Sequence, residues 1–220
     1  MMDDYTKRGL ILRSALRLAA EKGWKALTLA EIAAEAGATL ADVHKDYGSK
    51  SDILKAFVRD VDRELLKRAP APDMETPARD RLLDVVMTRF EILEPYKAAL
   101  GRIVADVRRS PDAGDVALLC SSACSARWML DAAGIPSAGG GGAVRVAGLM
   151  ALYGRVSRVW LADDDPGLEK TMAALDREIG RGARWLGLLD GVCRTARSFV
   201  CQLLPGTGAR QRAQAAAAGR

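Results

Sequence analysis

Apolar residues recur along this chain at spacings of three and four, the period of helices that bury one face. Ile11, Leu12, Ala15, Leu16 and Ala19 predict a first helix over 6–22, stopped by Gly23. Trp24 and Leu27 follow in a short connector. Thr28 and Glu31 are spaced as a capping box, and Ile32, Ala33 and Ala36 supply a short apolar face that ends at Gly37. Thr39 caps the chain again, with Leu40, Val43 and Tyr47 as the expected buried stripe of a third helix. Ser49, with Asp52 in the first turn, opens a long fourth helix. Ile53, Leu54, Phe57, Val58, Val61, Leu65 and Leu66 carry it to about Arg68.

The same period continues after a Pro-rich break at 69–77. Leu82, Val85, Val86, Met87 and Phe90 predict a helix from about Ala78 to Leu93, which Pro95 interrupts. Leu100, Ile103, Val104 and Val107 predict the next, and Ser110-Pro111-Asp112 opens another that runs to Gly134. The run SAGGGG at 137–142 reads as a flexible hinge. Val144 to Ala162 and 168–190 are two further apolar helices, divided by Asp163-Asp164-Asp165-Pro166. Leu186 to Leu204 has an apolar face with Arg194 and Arg197 off it, a pattern suited to docking on protein or on an anionic membrane surface. Residues 205–220 have no apolar face and are expected to be disordered. The expected architecture is all-α, with a three-helix head over 1–48, a helical bundle over 49–204 and a tail over 205–220.

Composition agrees with helices: 49% of residues are apolar but only 5% aromatic. No stretch approaches the roughly 20 uninterrupted apolar residues of a membrane span, and the N-terminus lacks a signal-peptide plan. A cytoplasmic protein is expected. The net charge of +5 changes the picture when it is divided. Residues 1–60 carry ten Lys/Arg against nine Asp/Glu, residues 61–180 sixteen against eighteen, and residues 181–220 seven against one. The basic excess therefore lies at the C-terminal end. Four cysteines (Cys120, Cys124, Cys193, Cys201) have no companion set for zinc and are expected to be buried thiols. With one His and no phosphate loop after a strand, no nucleophile–base pair is offered. Neither an enzyme nor a cofactor is expected.

Helix, Gly-containing turn and helix over Thr28–Lys50 form a helix-turn-helix unit, whose second helix can lie in a DNA major groove. Thr28, Ile32, Ala33, Ala36, Gly37, Thr39, Val43, Tyr47, Ser49, Lys50 and Ile53 follow an order that resembles the TetR family of transcriptional regulators. Asp42, His44 and Asp46 depart from that family's pattern. The resemblance implies contacts to operator DNA from Thr28, Thr39, Leu40, Asp42, His44, Lys45, Tyr47 and Lys50, and a homodimer formed through helices near the C-terminus. Asp42 and Asp46 bring negative charge to a surface that should meet phosphates.

In the second half, L-x-P-Y-x-x-A-L from Leu93, W-x-x-D-x-x-G from Trp128, L-Y-x-x-x-x-R-x-W-L-x-D from Leu152 and T-M-x-x-L-D-R from Thr171 form a second pattern. It is similar to the ubiquinone-biosynthesis accessory proteins, which share the TetR fold and bind lipid. Met87, Phe90, Trp128, Met129, Met150, Tyr153 and Trp160 are candidates to line a site for an apolar small molecule or lipid, with Arg89, Arg145 or Arg158 as its anchoring charge. The expected function is a DNA-binding regulator, in character a repressor, that responds to such a ligand. The alternative is a lipid-binding accessory protein without operator binding, using 186–204 at the membrane.

Overall fold

Each helix of the head starts at a hydroxyl side chain that caps it. The computed structural model describes residues 6–110, 113–139 and 141–182, the side chains of 113–119 excepted. Thr6 accepts the Gly9 amide at 3.3 Å and opens α1 (Lys7–Lys22). Thr28 and Glu31 form a reciprocal capping box on α2 (Leu29–Glu35), and Thr39 and Asp42 form another on α3 (Leu40–Asp46). Ser49 accepts the Asp52 amide at 3.2 Å and opens α4 (Lys50–Arg68). Helices of seven residues are too short to persist by propensity, so these caps, each worth about 1 kcal/mol, matter. Gly37 adopts φ 63°, and the Ala38 amide closes the turn on the Ala33 carbonyl at 2.9 Å.

α5 (Ala78–Leu93), a 3₁₀ turn (Glu94–Tyr96), α6 (Lys97–Arg109), α7 (Ala113–Ala132) and α8 (Gly142–Leu161) follow. Residues 169–182 are the described part of α9. Among the described residues there is no strand, as the period predicts. The residues up to Arg177 fall in one compact unit and those from Glu178 onward in a second. In the first, α1 packs on α2, α3, α4 and α6, while α4 packs on α5 and α7 and α7 packs on α8. The head core holds Ile11, Leu12, Ile32, Val43 and Tyr47, and the body core Val61, Leu65, Val86, Phe90 and Val156. Burying each large side chain contributes about 1.5–3 kcal/mol.

Three local expectations are corrected. Leu40 does not belong to the buried stripe of α3, since it is 56% exposed. Its position as the first residue of the helix turns it outward, and Val43 and Tyr47 carry the stripe. Cys120 and Cys124 are exposed. The inward face of α7 is formed by Ser125, Ala126, Met129 and Leu130, so residues 120, 124 and 128 share the outer one. The glycine run is not merely a hinge. α8 starts at Gly142 rather than Val144, and a Cβ on Gly142 would lie 2.2 Å from the Ser137 carbonyl oxygen. Cys193, Cys201 and the expected elements at 186–204 and 205–220 lie outside the described residues.

Gly142→Ala should therefore destabilise the protein by about 1–3 kcal/mol, because a backbone clash outweighs the helix propensity gained. Urea unfolding followed by circular dichroism measures this, and an unchanged or raised midpoint would contradict the packing.

Candidate functional site

The outer face of α3 is held in place by what lies beneath it. Val43 and Tyr47 are 1% and 2% exposed. The Tyr47 hydroxyl donates to the Arg8 carbonyl at 3.1 Å, and burial pushes its phenol up to about 12. Tyr47 is therefore a core residue tying α3 to α1, and its expected DNA contact is corrected. Ala41, His44, Lys45, Asp46 and Leu40 stay exposed. Thr28 and Thr39 are exposed but use their hydroxyls as caps.

Asp42 is a cap as well. Its Oδ2 accepts the Thr39 amide at 2.9 Å and the Thr39 hydroxyl at 2.8 Å, while Lys7 Nζ reaches Oδ1 at 2.9 Å. Lys7, then Thr39, hold its carboxyl well below the usual carboxylate range. The carboxylate expected to face DNA is thus turned back on its own helix start and matched by a cation. Asp46, at the far end of α3, has no comparable cap role.

The Lys50 ammonium donates to the carbonyls of Leu27 at 2.6 Å and Trp24 at 3.0 Å, and sits 5.5 Å from the centroid of the Trp24 ring. It holds the α1–α2 connector by its carbonyls. The donor side of the same connector belongs to α6. Asp106 Oδ2 accepts the Trp24 amide at 2.7 Å and the Lys25 amide at 3.2 Å. Gly23, at φ 86°, lets this approach occur, since a Cβ there would meet Asp106 Oδ2 at 2.9 Å. Sequence reasoning missed Asp106, which lies 82 residues from Trp24 and has no local signal.

A second cluster lies in the body. Arg89 on α5, Asp62 on α4 and Ser125 on α7 are 5%, 7% and 2% exposed. Arg89 Nη1 donates to Asp62 Oδ1, and the Ser125 hydroxyl donates to Asp62 Oδ2 at 2.7 Å. Nη2 of Arg89 lies 3.4 Å from the Ser125 oxygen, and Nε has no acceptor. A buried donor left unmade costs about 1–3 kcal/mol. The Tyr153 ring on α8 lies 5.8 Å from the Arg89 Cζ. It stacks on Phe90 at 5.0 Å, and Phe90 meets Trp160 at 5.4 Å. Burial raises the Tyr153 phenol above its ordinary value, against the pull of Arg89.

Of the expected ligand residues, Phe90, Tyr153 and Trp160 come together as a ring cluster, with Tyr153 beside Arg89. Met87 and Met129 are buried, and Met150 is half-buried one turn before Tyr153. Trp128 is 51% exposed, so its expected place in an enclosed site is corrected. Arg145 turns to the Pro136 carbonyl at 3.1 Å and Arg158 is exposed, which leaves Arg89 as the buried cation. Asp62 and Ser125 were not foreseen, although a carboxylate between Val61 and Leu65 was a readable anomaly in the apolar face of α4.

Residues 11–57 match the family model for bacterial regulatory proteins of the tetR family. That match is confined to the head. No curated protein matches the chain in sequence. Among solved structures, a TetR transcriptional regulator from Nitrosomonas europaea ATCC 19718 has a TM-score of 0.65 at 20% identity, covering 81% of this chain and 98% of its own. One from Rhodococcus sp. RHA1 has a TM-score of 0.56 at 20% identity, covering 80% and 94%. Over about four-fifths of its length the chain therefore shares the fold of these two regulators. No described helix is long and apolar enough to cross a membrane.

Two tests follow from the geometry of the TetR-type head. The connector amides hold the Asp106 carboxyl below its ordinary value, so its stabilisation is present above the unfolded pKa and lost as pH falls through the folded one. Asp106→Asn should lower the thermal midpoint by an amount that is constant above about pH 5 and shrinks below about pH 4. A deficit independent of pH would show that the carboxylate is not the anchor. Asp42→Ala should lower the midpoint through loss of the cap without raising DNA affinity. A large gain in affinity would mean that Asp42 faces phosphate after all.

Proposed function

We propose that this protein is a DNA-binding transcriptional regulator, acting as a homodimeric repressor whose body senses an apolar small molecule. The observation that carries the reading is the outer face of α3. Leu40, His44 and Lys45 are exposed there on a helix whose opposite side is locked by Val43 and Tyr47. Such a helix can enter a major groove with its N-terminal residues toward base edges. Leu40 suits the methyl group of thymine, and Lys45 or His44 the acceptors of guanine or a phosphate. With Asp42 matched by Lys7, the remaining carboxylate on this helix is Asp46 at its far end.

The dimer reading is supported by the exposed side of α8, where Val144, Ala147, Gly148 and Ala151 are open, and by Met172 on α9, 46% exposed. Pairing two copies along such helices would present two heads to successive major grooves, about 34 Å apart. The body responds to ligand by moving α4, which begins beside α3 and ends among the body helices. A ligand that favours one body arrangement then changes the spacing of the two recognition helices.

The test is binding of the purified protein to duplex DNA flanking its own coding sequence, followed by fluorescence anisotropy as salt is raised. Affinity should fall linearly on a log–log plot. His44→Ala and Lys45→Ala should each cost about 1–3 kcal/mol of binding, with thermal midpoints unchanged. Absence of binding at low salt would sink the regulator reading and leave the head as a scaffold, as the lipid-accessory reading requires.

A further inference from the structure

The Asp62–Arg89–Ser125 cluster has a feature that a purely structural ion pair would not need. Four helices meet there, and three polar side chains, each more than nine-tenths buried, satisfy one another almost completely, with the Tyr153 hydroxyl as a further partner of the guanidinium. The exception is Arg89 Nε, a buried N–H with no acceptor. Buried polar groups are nearly always paired, so a buried orphan donor needs an explanation. The guanidinium lies beside the Tyr153 ring, which stacks on Phe90, and Phe90 in turn meets Trp160. Met150 and Tyr153 on α8 are only half-buried, so this ring cluster reaches toward solvent on one side.

Charge decides what such a donor can accept. Arg89 already has its counter-ion in Asp62, and the pair sums to zero. A ligand carboxylate brought to Nε would place a second negative charge near Asp62 where little water can screen it. An uncharged oxygen acceptor would complete the guanidinium without adding charge. Ser125 cannot serve as that acceptor, because its hydroxyl is already set between Asp62 and Arg89 Nη2.

We propose that Arg89 Nε is the polar anchor of the body's ligand site and that the ligand is a neutral, flat apolar molecule bearing a carbonyl-type oxygen. The carbonyl accepts from Nε, and the ring system lies along Tyr153, Phe90 and Trp160. Asp62 and Ser125 position the guanidinium. This assignment rests on the reading of the body as a ligand-sensing domain, and it rules out the anionic ligand that a buried arginine would ordinarily suggest.

Three probes with one ring system separate the possibilities: 1-acetylnaphthalene with a carbonyl, 1-naphthoate with a carboxylate, and 1-methylnaphthalene with neither. Binding to the full chain is measured by tryptophan fluorescence and by the shift in thermal midpoint, without DNA. The expected result is that 1-acetylnaphthalene binds at least tenfold more tightly than either of the others. Arg89→Lys, which keeps a cation opposite Asp62 but removes the Nε–H, should abolish the preference over 1-methylnaphthalene. Should that variant not fold, the three-probe comparison on the natural sequence decides alone. Tightest binding of 1-naphthoate would overturn the neutral assignment. Equal binding of the ketone and 1-methylnaphthalene would show that Nε is unused or bound to water. No binding by any probe would also overturn the proposal, and in a protein that still binds DNA it would leave the head reading intact.

Discussion

The connector between α1 and α2 is the point on which this structure depends. The connector Gly23–Leu27 makes one bond within itself, from the Leu27 amide to the Trp24 carbonyl at 3.3 Å, and its ends are buried. Its amides are taken by Asp106 from α6 and its carbonyls by Lys50 from the start of α4. Each is a charge-assisted bond to backbone, stronger than its neutral counterpart. The angle between α1 and the helix-turn-helix is thus fixed by two side chains distant in sequence, one of them belonging to the body. A small three-helix head buries too little surface to be stable alone, so the body supplies part of its order.

The same two helices that hold the connector also reach the interior of the body. α4 carries Lys50 at its start and Asp62 twelve residues on, about 18 Å along a continuous helix. Between them Phe57 meets Tyr96 edge to face at 5.2 Å, where α5 turns toward α6. Near the beginning of α6, Glu94 accepts from the Trp160 indole at 2.7 Å and from Lys97 at 2.9 Å. A change around Arg89 and Trp160 therefore meets both α4 and the approach to α6. Those are the two elements that grip the connector from opposite sides. These contacts form a continuous packed path between the body interior and the connector.

What the sequence revealed follows from the range of each interaction. Caps, the Gly37 turn and the helical period are local, and they place α1 to α4 almost to the residue. The head and the all-helical body were legible for that reason. Tyr47 was misread because its position in a motif says nothing about which neighbour has already claimed its hydroxyl. Leu40 was misread in the opposite sense, since the helical period alone does not say that a first-turn residue points outward. Gly142 looked like slack in a glycine run and proved to be a close approach to the Ser137 carbonyl. Asp106 had no signal at all, because its partners are backbone amides remote in sequence.

Asp42 brings these strands together. As a base-reading residue it would be poorly chosen, since its carboxylate repels the phosphates around it. As the third residue of a seven-residue helix it is well chosen, because a carboxylate there closes the capping box and complements the positive end of the helix. Lys7 then offsets the charge it brings and joins α3 to the start of α1. The acidic departure from the family pattern is accordingly a solution to the stability of a short helix, reached at the expense of a position that could have read DNA. Leu40, His44 and Lys45 are exposed on the outer face of the same helix, where the proposed groove contacts would be made. A helix face can vary only where its own fold makes no demand, and on α3 that condition leaves Leu40, Ala41, His44, Lys45 and Asp46.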